Sequence, residues 1–178
     1  MQKKTIRDMA RDTIEQFKAR KKIPVTVVLD NVRSLNNIGA IFRTCGGFAA
    51  EGIALCGVSG TPPSVEIHKT ALGAEDSVDW RYFATTAEAI ATLRREGHTV
   101  VCLEQVKGSV SLDAFRVSPA ARYALVIGNE VDGVDQNIVD SADLCLEIPQ
   151  SGTKHSLNVS VSAAVALWEF YKQFACTL

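Results

Sequence analysis

The chain has 178 residues, of which 47% are hydrophobic and 22% charged, with a net charge of −1 at pH 7. This length and composition fit one compact soluble domain that buries its core without disulfides or a structural metal. The five cysteines are odd in number, scattered and without a CxxC pair, so we expect reduced core thiols rather than a disulfide framework or zinc ribbon. No apolar run is long enough to span a membrane, and the charged N-terminus lacks a signal-peptide core. We therefore expect a cytoplasmic protein.

The N-terminal segment, residues 1–22, is basic. It contains eight Lys or Arg against three acidic residues, whereas the remaining 156 residues sum to −6. Apolar residues recur at three- and four-residue spacing from Ile6 to Phe17, which predicts an amphipathic helix ended by Pro24. We treat residues 1–22 as an arm and residues 23–178 as the main domain. The arm's charge indicates contact with a polyanion, but a solvated helix face explains it equally well.

Short apolar runs and helical patterns alternate along the main domain. The predicted strands are Val25–Leu29, Gly52–Cys56, Thr99–Leu103, Tyr123–Ile127 and Leu144–Ile148. The predicted helices are Ile38–Cys45, Thr86–Arg95, Asp135–Asp140 and Asn158–Phe174, with Thr86 as an N-cap. This βαβ order predicts an α/β fold with a mainly parallel sheet and helices on both faces.

The last predicted helix, Asn158–Phe174, is apolar almost all round. A helix of this kind has to be buried nearly completely. In a domain of this size a second subunit buries it more easily than the chain itself does. We therefore predict a homodimer.

Common nucleotide and metal motifs are missing from the sequence. There is no G-x-G-x-x-G after the first strand, no G-x-x-x-x-G-K-[ST], no H-E-x-x-H and no G-x-S-x-G. The three histidines, His68, His98 and His155, lie far apart in sequence. We therefore expect neither a P-loop nor a usual open-sheet dinucleotide site, and no metal.

Three polar clusters follow or flank predicted strands, where open α/β sheets hold their ligands. In the first, Asn37 can cap a helix and Arg43 lies nearly two turns later on a similar face, although a cap plus a surface arginine is an ordinary combination. The second, Gly128–Val134, holds acids and an amide between two glycines. The third, Ile148–Ser160, enters the last helix through Ser156 or Asn158 as N-cap.

In this order the clusters resemble the three motifs of the SpoU-TrmH family within the SPOUT methyltransferase superfamily. The N-x-x-x-x-x-R motif corresponds to Asn37 and Arg43, and the G-N-E-x-x-G motif to Gly128–Gly133. The I-P…S-L-N-V-S motif corresponds to Ile148–Ser160, and His68–Ala74 is similar to the segment between the first two motifs. The resemblance covers roughly residues 24–174.

Membership of this family implies a deep trefoil knot in the C-terminal part, bound S-adenosylmethionine, an RNA substrate and a dimer that completes the active site. The implied cofactor contacts are Leu103, Glu104, Gly128, Asn129, Ile148, Ser156 and Leu157. The implied catalytic residues are Arg43, Asn37, Glu130, Ser156 and Asn158. Arg33, Arg43 and Lys69 are expected on the RNA-binding surface.

The chemistry of methyl transfer suits these residue types. Displacement at a sulfonium methyl requires a ribose hydroxyl held in line and its proton removed or its charge stabilised. Because a guanidinium does not deprotonate readily, we interpret Arg43 as a phosphate clamp and charge stabiliser rather than an unaided base. Glu130 orients either Arg43 or a backbone turn.

The sequence leaves two alternatives to a ribose 2′-O-methyltransferase of tRNA or rRNA. One is a non-catalytic RNA-binding or assembly factor on the same fold. The other is a SPOUT enzyme that methylates a base.

Overall fold

The computed structural model describes residues 2–3 and 12–175. Within these ranges the chain forms seven helices and seven strands. The helices are α1 (Ile14–Ala19), α2 (Leu35–Gly47), α3 (Val65–Ala71), α4 (Ala74–Ser77), α5 (Thr86–Arg95), α6 (Gln136–Ser141) and α7 (Val159–Ala175). The strands are β1 (Ile23–Asp30), β2 (Ala50–Cys56), β3 (Trp80–Phe83), β4 (His98–Leu103), β5 (Val110–Ser111), β6 (Arg122–Ile127) and β7 (Leu144–Glu147).

The strands form one sheet in the order β3-β2-β1-β6-β4-β7-β5, and each adjacent pair is parallel. The register aligns the ends of the central strands, since Leu29 and Leu103 both lie opposite Ile127, and Leu103 lies opposite Leu146. The carboxyl ends of β1, β6, β4 and β7 therefore meet at one edge. The predicted parallel α/β sheet is confirmed.

Alternating side chains on the central strands supply two separate cores. Val27 and Leu29 of β1 pack with α2, α3 and α7 on one face, whereas Val28 packs with α5 and α6 on the other. Each fully buried aliphatic side chain contributes roughly 1.5–3 kcal/mol by leaving water. The prediction of helices on both faces is confirmed.

All five predicted strands and all four predicted main-domain helices are present, with ends shifted by a few residues. The pattern missed β3, β5, α3 and α4. β3 is an edge strand whose Arg81 and Tyr82 are exposed, so it lacks the apolar run of a central strand. The other three elements are too short to develop a period.

At two helices, α5 and α2, the N-cap residue differs from the predicted one. The N-cap of α5 is Thr85, whose side chain accepts from Glu88 N, while Thr86 is buried inside the helix. The N-cap of α2 is Ser34, not Asn37. In both cases neighbouring residues can cap, and tertiary contacts select between them. Asn158 Oδ1 accepts from Ser160 N at 2.9 Å, so Asn158 is confirmed as the residue that caps α7.

The described part of the N-terminal arm, residues 12–22, contains one short helix, α1, which begins after the N-cap Thr13. α1 ends at Ala19 with Arg20 as C-cap, and Pro24 lies inside β1 rather than ending a helix. Phe17 packs against the main core. Residues 4–11, which hold the first part of the predicted helix, lie outside the described residues.

The last helix is not buried all round. Leu167 and Phe170 are buried, whereas Val161, Val165 and Trp168 are 48%, 39% and 50% exposed. Spacings of four and three residues put these three side chains on one stripe of α7. The single chain buries only the side of α7 that faces β1 and α2, so the near-complete burial that we predict depends on a second subunit.

Among the described cysteines, Cys45, Cys56, Cys102 and Cys145 are free. Burial raises the pKa of the Cys56 and Cys102 thiols to about 12, so both are protonated at neutral pH. Cys176 lies outside the described residues. Across residues 12–175 no helix has the length and hydropathy needed to cross a bilayer. In the same part of the chain no group of three or more His, Cys, Asp or Glu is arranged to hold a metal ion.

Candidate functional site

A cavity of about 550 Å³ opens where β4, β6 and β7 end. This volume is in the range of small-molecule sites. Its wall includes every residue that the sequence proposes as a cofactor contact: Leu103, Glu104, Gly128, Asn129, Ile148, Ser156 and Leu157. The aligned strand ends explain this, since they bring three loops to one place.

The turn after β6 is tightly folded at one wall of the cavity. Asn129 N donates to Gly133 O at 3.0 Å, and Asn129 Oδ1 accepts from Val131 N and Asp132 N at 2.9 Å each. A Cβ on Gly128 would lie 2.0 Å from the carbonyl carbon of Gly133. Only glycine fits there, and Asn129 acts on the shape of the turn.

Glu104 connects the β4 loop to this turn. Its Oε2 accepts from Val134 N and its Oε1 from Gln105 N, both at 2.9 Å. Gln105 Nε2 donates to His155 O at 3.0 Å, which reaches the third loop. Glu104 and Gln105 thus hold the three walls together. Sequence reasoning did not identify Gln105, because nothing marks a single glutamine after a strand.

Residues of all three motifs meet in one hydrogen-bonded chain. Asn37 Nδ2 donates to Glu130 Oε1 at 3.0 Å, and Asn158 Nδ2 donates to Asn37 Oδ1 at 3.2 Å. Glu130 also accepts from Arg33 N at 3.1 Å and Ser34 N at 3.0 Å. Of the two roles considered for Glu130, the contacts support orientation of the turn before α2, not of Arg43.

Glu130 remains ionised in this arrangement. Partial burial raises the pKa of its carboxyl, but the bonds from Asn37, Arg33 N and Ser34 N outweigh burial and hold the pKa below the ordinary value. The charge lies next to the first turn of α2, where free N–H groups favour an anion.

Asp30 is a buried junction that sequence reasoning missed. Its Oδ1 accepts from Thr86 Oγ1 at 2.6 Å and Asn31 Nδ2 at 2.9 Å, and its Oδ2 accepts from Asp135 N at 2.9 Å. It joins the end of β1 to the starts of α5 and α6. An acid directly after an apolar strand was the available signal.

Arg43 stands apart from the other predicted catalytic residues. It is exposed, does not line the cavity and, within the described chain, makes no side-chain hydrogen bond or ion pair. Six residues advance a helix by about 600°, so Asn37 and Arg43 point about 120° apart. The expected similar face is therefore wrong.

The other proposed RNA contacts lie on the surface. The Arg33 side chain is exposed, while its backbone is held by Glu130. Lys69 Nζ lies 2.6 Å from Glu66 Oε1, so its charge is partly neutralised. Ser156 is exposed and lines the cavity.

The cavity wall is acidic and partly apolar. Glu104, Glu130, Asp132 and Glu147 line it together with Ile127, Leu146 and Val159, and within the described ranges no Lys or Arg does. Such a wall suits a ligand with positive charge, hydrogen-bonding edges and an apolar part.

Sequence comparison finds relatives among RNA methyltransferases. An uncharacterised tRNA/rRNA methyltransferase of Synechocystis sp. is 29% identical over 91% of this chain, which spans 41% of that relative's length. A 23S rRNA (guanosine-2′-O-)-methyltransferase of Vibrio parahaemolyticus is 26% identical over 96% of this chain and 68% of that protein.

Solved structures with the same fold include the TrmH/SpoU tRNA modifying enzyme of A. aeolicus, with a TM-score of 0.79, 27% identity and coverage of 92% of this chain and 81% of that one. An AdoMet-bound rRNA methyltransferase from Sinorhizobium meliloti has a TM-score of 0.77, 29% identity and coverage of 85% and 57%. The model of the SpoU rRNA Methylase family matches residues 24–168, which include all three motifs and the cavity. The chain belongs to the SpoU rRNA methylase family.

Proposed function

We propose that this chain binds S-adenosylmethionine in the cavity and transfers its methyl group to a ribose 2′-hydroxyl of tRNA or rRNA. The observation that carries the proposal is the hydrogen-bonded chain Glu130–Asn37–Asn158, which joins the three motifs beside an acidic cavity. The AdoMet-bound neighbour and the guanosine-2′-O-methyltransferase relative support the cofactor and the target atom.

The residues of the cavity fit this cofactor. S-adenosylmethionine supplies an electrophilic methyl on a sulfonium, and it carries a second positive charge on its ammonium group. Acidic side chains without a neighbouring Lys or Arg among the described wall residues favour both charges. Gly128, Ile148 and Leu157 line the wall, where their backbone groups and apolar atoms are available to an adenosine.

The RNA hydroxyl needs a group that aligns it and stabilises charge on its oxygen. We assign this role to Arg43, because its guanidinium is always charged and offers a fork of donors to phosphate or alkoxide oxygen. Arg43 has no side-chain partner in the described chain, and it lies away from the cavity. The proposal therefore needs the Arg43 of the partner subunit beside the cavity.

A homodimer would supply that arginine. The exposed stripe of Val161, Val165 and Trp168 on α7 supports it, since a contiguous apolar stripe is typical of a subunit interface. We also propose that the dimer acts in the cytoplasm, which cell fractionation would test.

Arg33, Lys69 and the basic arm are proposed as additional RNA contacts. Deletion of residues 2–20 should then weaken RNA binding and flatten its salt dependence.

The proposal extends to the C-terminal knot. The sheet order supports it, because β6 inserts between β1 and β4, and β7 between β4 and β5, before α7 returns to pack on α2. Mechanical unfolding by the two chain ends would test it. The end-to-end length of a knotted chain after unfolding is shorter than that of 178 fully extended residues.

Methyl transfer from labelled S-adenosylmethionine to bulk tRNA and rRNA tests the function, and nucleoside analysis separates ribose from base products. Arg43→Ala should lower transfer by about a hundredfold or more, as loss of one charge-stabilising donor does, while cofactor binding is retained. Arg116→Ala, a surface arginine bonded to backbone carbonyls, is the control.

Mixed dimers test the shared site. Arg43→Ala and Gly128→Ala chains that are each inactive should regain activity when combined, because one of the two sites is then intact. If Arg43→Ala does not reduce the label transferred to RNA, Arg43 does not have the proposed role. If the unaltered protein binds RNA but transfers no label, a non-catalytic RNA-binding factor is favoured.

A further inference from the structure

A second cavity lies beside α3 and α4. It has a volume of about 570 Å³ and is bounded by the loop before α3, by α3 and α4, and by the start of β3. The wall residues that matter here are Pro62, Pro63, His68, Glu75, Asp76 and Trp80. The two cavities have no lining residue in common.

Glu75 has an unsatisfied oxygen in this wall. Its side chain is 8% exposed, and its Oε1 accepts from His68 Nδ1 at 2.5 Å. Its Oε2 is buried and is, in the described part of the chain, the one buried side-chain oxygen or nitrogen without a hydrogen-bond partner. Buried polar atoms are nearly always paired. The backbone N–H groups of Glu75 and Gly73 approach this carboxyl, but neither forms a hydrogen bond with Oε2, so this oxygen is available to a donor on a ligand.

The charges around the cavity select the type of donor. Glu75 and the exposed Asp76 both line it, the Asp76 side chain makes no hydrogen bond or ion pair among the described residues, and no described Lys or Arg lines the wall. Burial raises the pKa of Glu75, but the nearby N–H dipoles of Glu75 and Gly73 and the His68 ring outweigh it, so the carboxyl stays ionised. The local charge therefore repels phosphates and attracts cations.

The rest of the wall selects the shape of the ligand. Pro62 and Pro63 offer apolar surface, and Trp80 has an aromatic face on which a cation or an alkyl chain packs well. A divalent metal is disfavoured, since no group of three metal-ligating side chains occurs here or elsewhere in residues 12–175.

We propose that this cavity binds an organic cation, a guanidinium or ammonium on an aliphatic stem, with the charged end on Glu75 and the stem against the prolines and Trp80. A free polyamine and an arginine or lysine side chain of another protein carry the same chemistry. The site is independent of methyl transfer.

Titration with n-butylguanidinium tests this site, with n-butylurea as the neutral molecule of the same shape. The indole N–H resonance of Trp80 reports binding locally, and Trp80→Phe assigns it between the two tryptophans. We expect a saturable shift with the guanidinium and none with the urea. Equal shifts with both, or no shift with either, would overturn the proposal.

Matched variants separate the site from bulk charge. Glu75→Gln should raise the dissociation constant by about tenfold, because the guanidinium loses its ion pair. Asp76→Asn should raise the dissociation constant less. Asp76 is exposed, so this variant should fold like the parent protein. Glu66→Gln, on the neighbouring helix α3, removes an acid outside the wall and should leave binding unchanged. If Glu66→Gln and Asp76→Asn raised the dissociation constant equally, binding would depend on the general negative charge of this surface and the proposed site would be refuted.

The source of the cation is then decided by comparing spermidine with N-acetyl-arginine amide under the same readout. Tighter binding of spermidine identifies a free polyamine. Tighter binding of the arginine derivative identifies a protein side chain.

Discussion

Replacement of Gly128 should damage the proposed cofactor cavity directly. A Cβ there would lie 2.0 Å from the Gly133 carbonyl carbon, and backbone cannot move aside as a flexible side chain can. We expect Gly128→Ala to lower the free energy of unfolding by about 2 kcal/mol or more, in the range of overpacked sites. Binding of S-adenosylmethionine, measured by calorimetry, should be lost.

Gly47→Ala is the matched control. Gly47 ends α2, and a Cβ there meets nothing within 4 Å. Alanine in a helix is favoured over glycine by about 0.5–1 kcal/mol, so this variant should be neutral or slightly more stable. If both variants bound the cofactor like the parent, the close approach would not matter for the site.

Glu130 should make stability depend on pH. Its folded-state pKa lies below the ordinary 4.5, so its stabilising bonds are complete above that value and are lost as pH falls through the folded-state pKa. Because the carboxylate is exposed, we expect Glu130→Gln to cost only about 1 kcal/mol at pH 7. Urea unfolding should show this difference shrinking to nothing well below pH 4.5.

Glu88→Gln tests whether the effect of Glu130 is specific. Glu88 is an exposed acid on α5 without a side-chain partner in the described chain. At pH 7 its replacement should change the free energy of unfolding by no more than about 0.5 kcal/mol, as is usual for an exposed side chain without a partner. Identical curves of unfolding free energy against pH for the two variants would mean that the bonds to Asn37, Arg33 N and Ser34 N contribute nothing.

At the scale of elements, α5 begins with two threonines that have different tasks. Thr85 caps the helix, whereas Thr86 donates to the buried Asp30 at 2.6 Å. Thr85→Val should cost about 1 kcal/mol for a lost cap. Thr86→Val should cost about 1–3 kcal/mol, because a buried acceptor loses a donor. Urea unfolding of the two variants should rank them in this order, and the reverse order would contradict the role of Asp30.

The main elements could be predicted because each carries its own period or apolar run. Central strands such as Tyr123–Ile127 are buried on both faces, so nearly all of their residues are apolar and the strand can be recognised from the sequence. β3 could not be predicted, since an edge strand needs only one covered face and one hydrogen-bonded neighbour. Which of Thr85 and Thr86 becomes the N-cap of α5 depends on Asp30, which is 56 residues away from Thr86 in sequence.

The candidate site was predictable to the extent that its residues lie in local motifs. Gly128, Asn129 and Ser156 follow strand ends, and parallel strand ends converge. The contacts of Glu130 with Asn37 cross 93 residues and depend on how α2 lies beside the β6 turn. Gln105 joins two loops through an ordinary side chain, so no sequence pattern marks it. The cavity around Glu75 is likewise produced only by packing.

At the scale of the whole molecule, the proposed site needs a second subunit. The stripe of Val161, Val165 and Trp168 leaves apolar surface in water, and Trp168 stacks on Tyr171 at 5.8 Å between ring centroids. A rigid aromatic cluster of this kind loses little side-chain entropy on association. The stripe therefore has the features of an interface core rather than of a scattered set of exposed side chains.

Val165→Glu should convert the proposed dimer into a monomer, because dimerisation would bury an unpaired charge. Val165 is 39% exposed in the single chain, so the fold itself should tolerate the change, and the melting temperature of the monomer checks this. Sedimentation equilibrium measures the mass, and Val58→Glu, at a valine 67% exposed and away from α7, is the control for added charge. The monomer should retain the cavity and bind S-adenosylmethionine, yet lose methyl transfer by at least about tenfold, since Arg43 of the partner subunit is removed. A monomer as active as the parent would mean that one chain holds a complete site, and dimers in both variants would mean that α7 is not the interface.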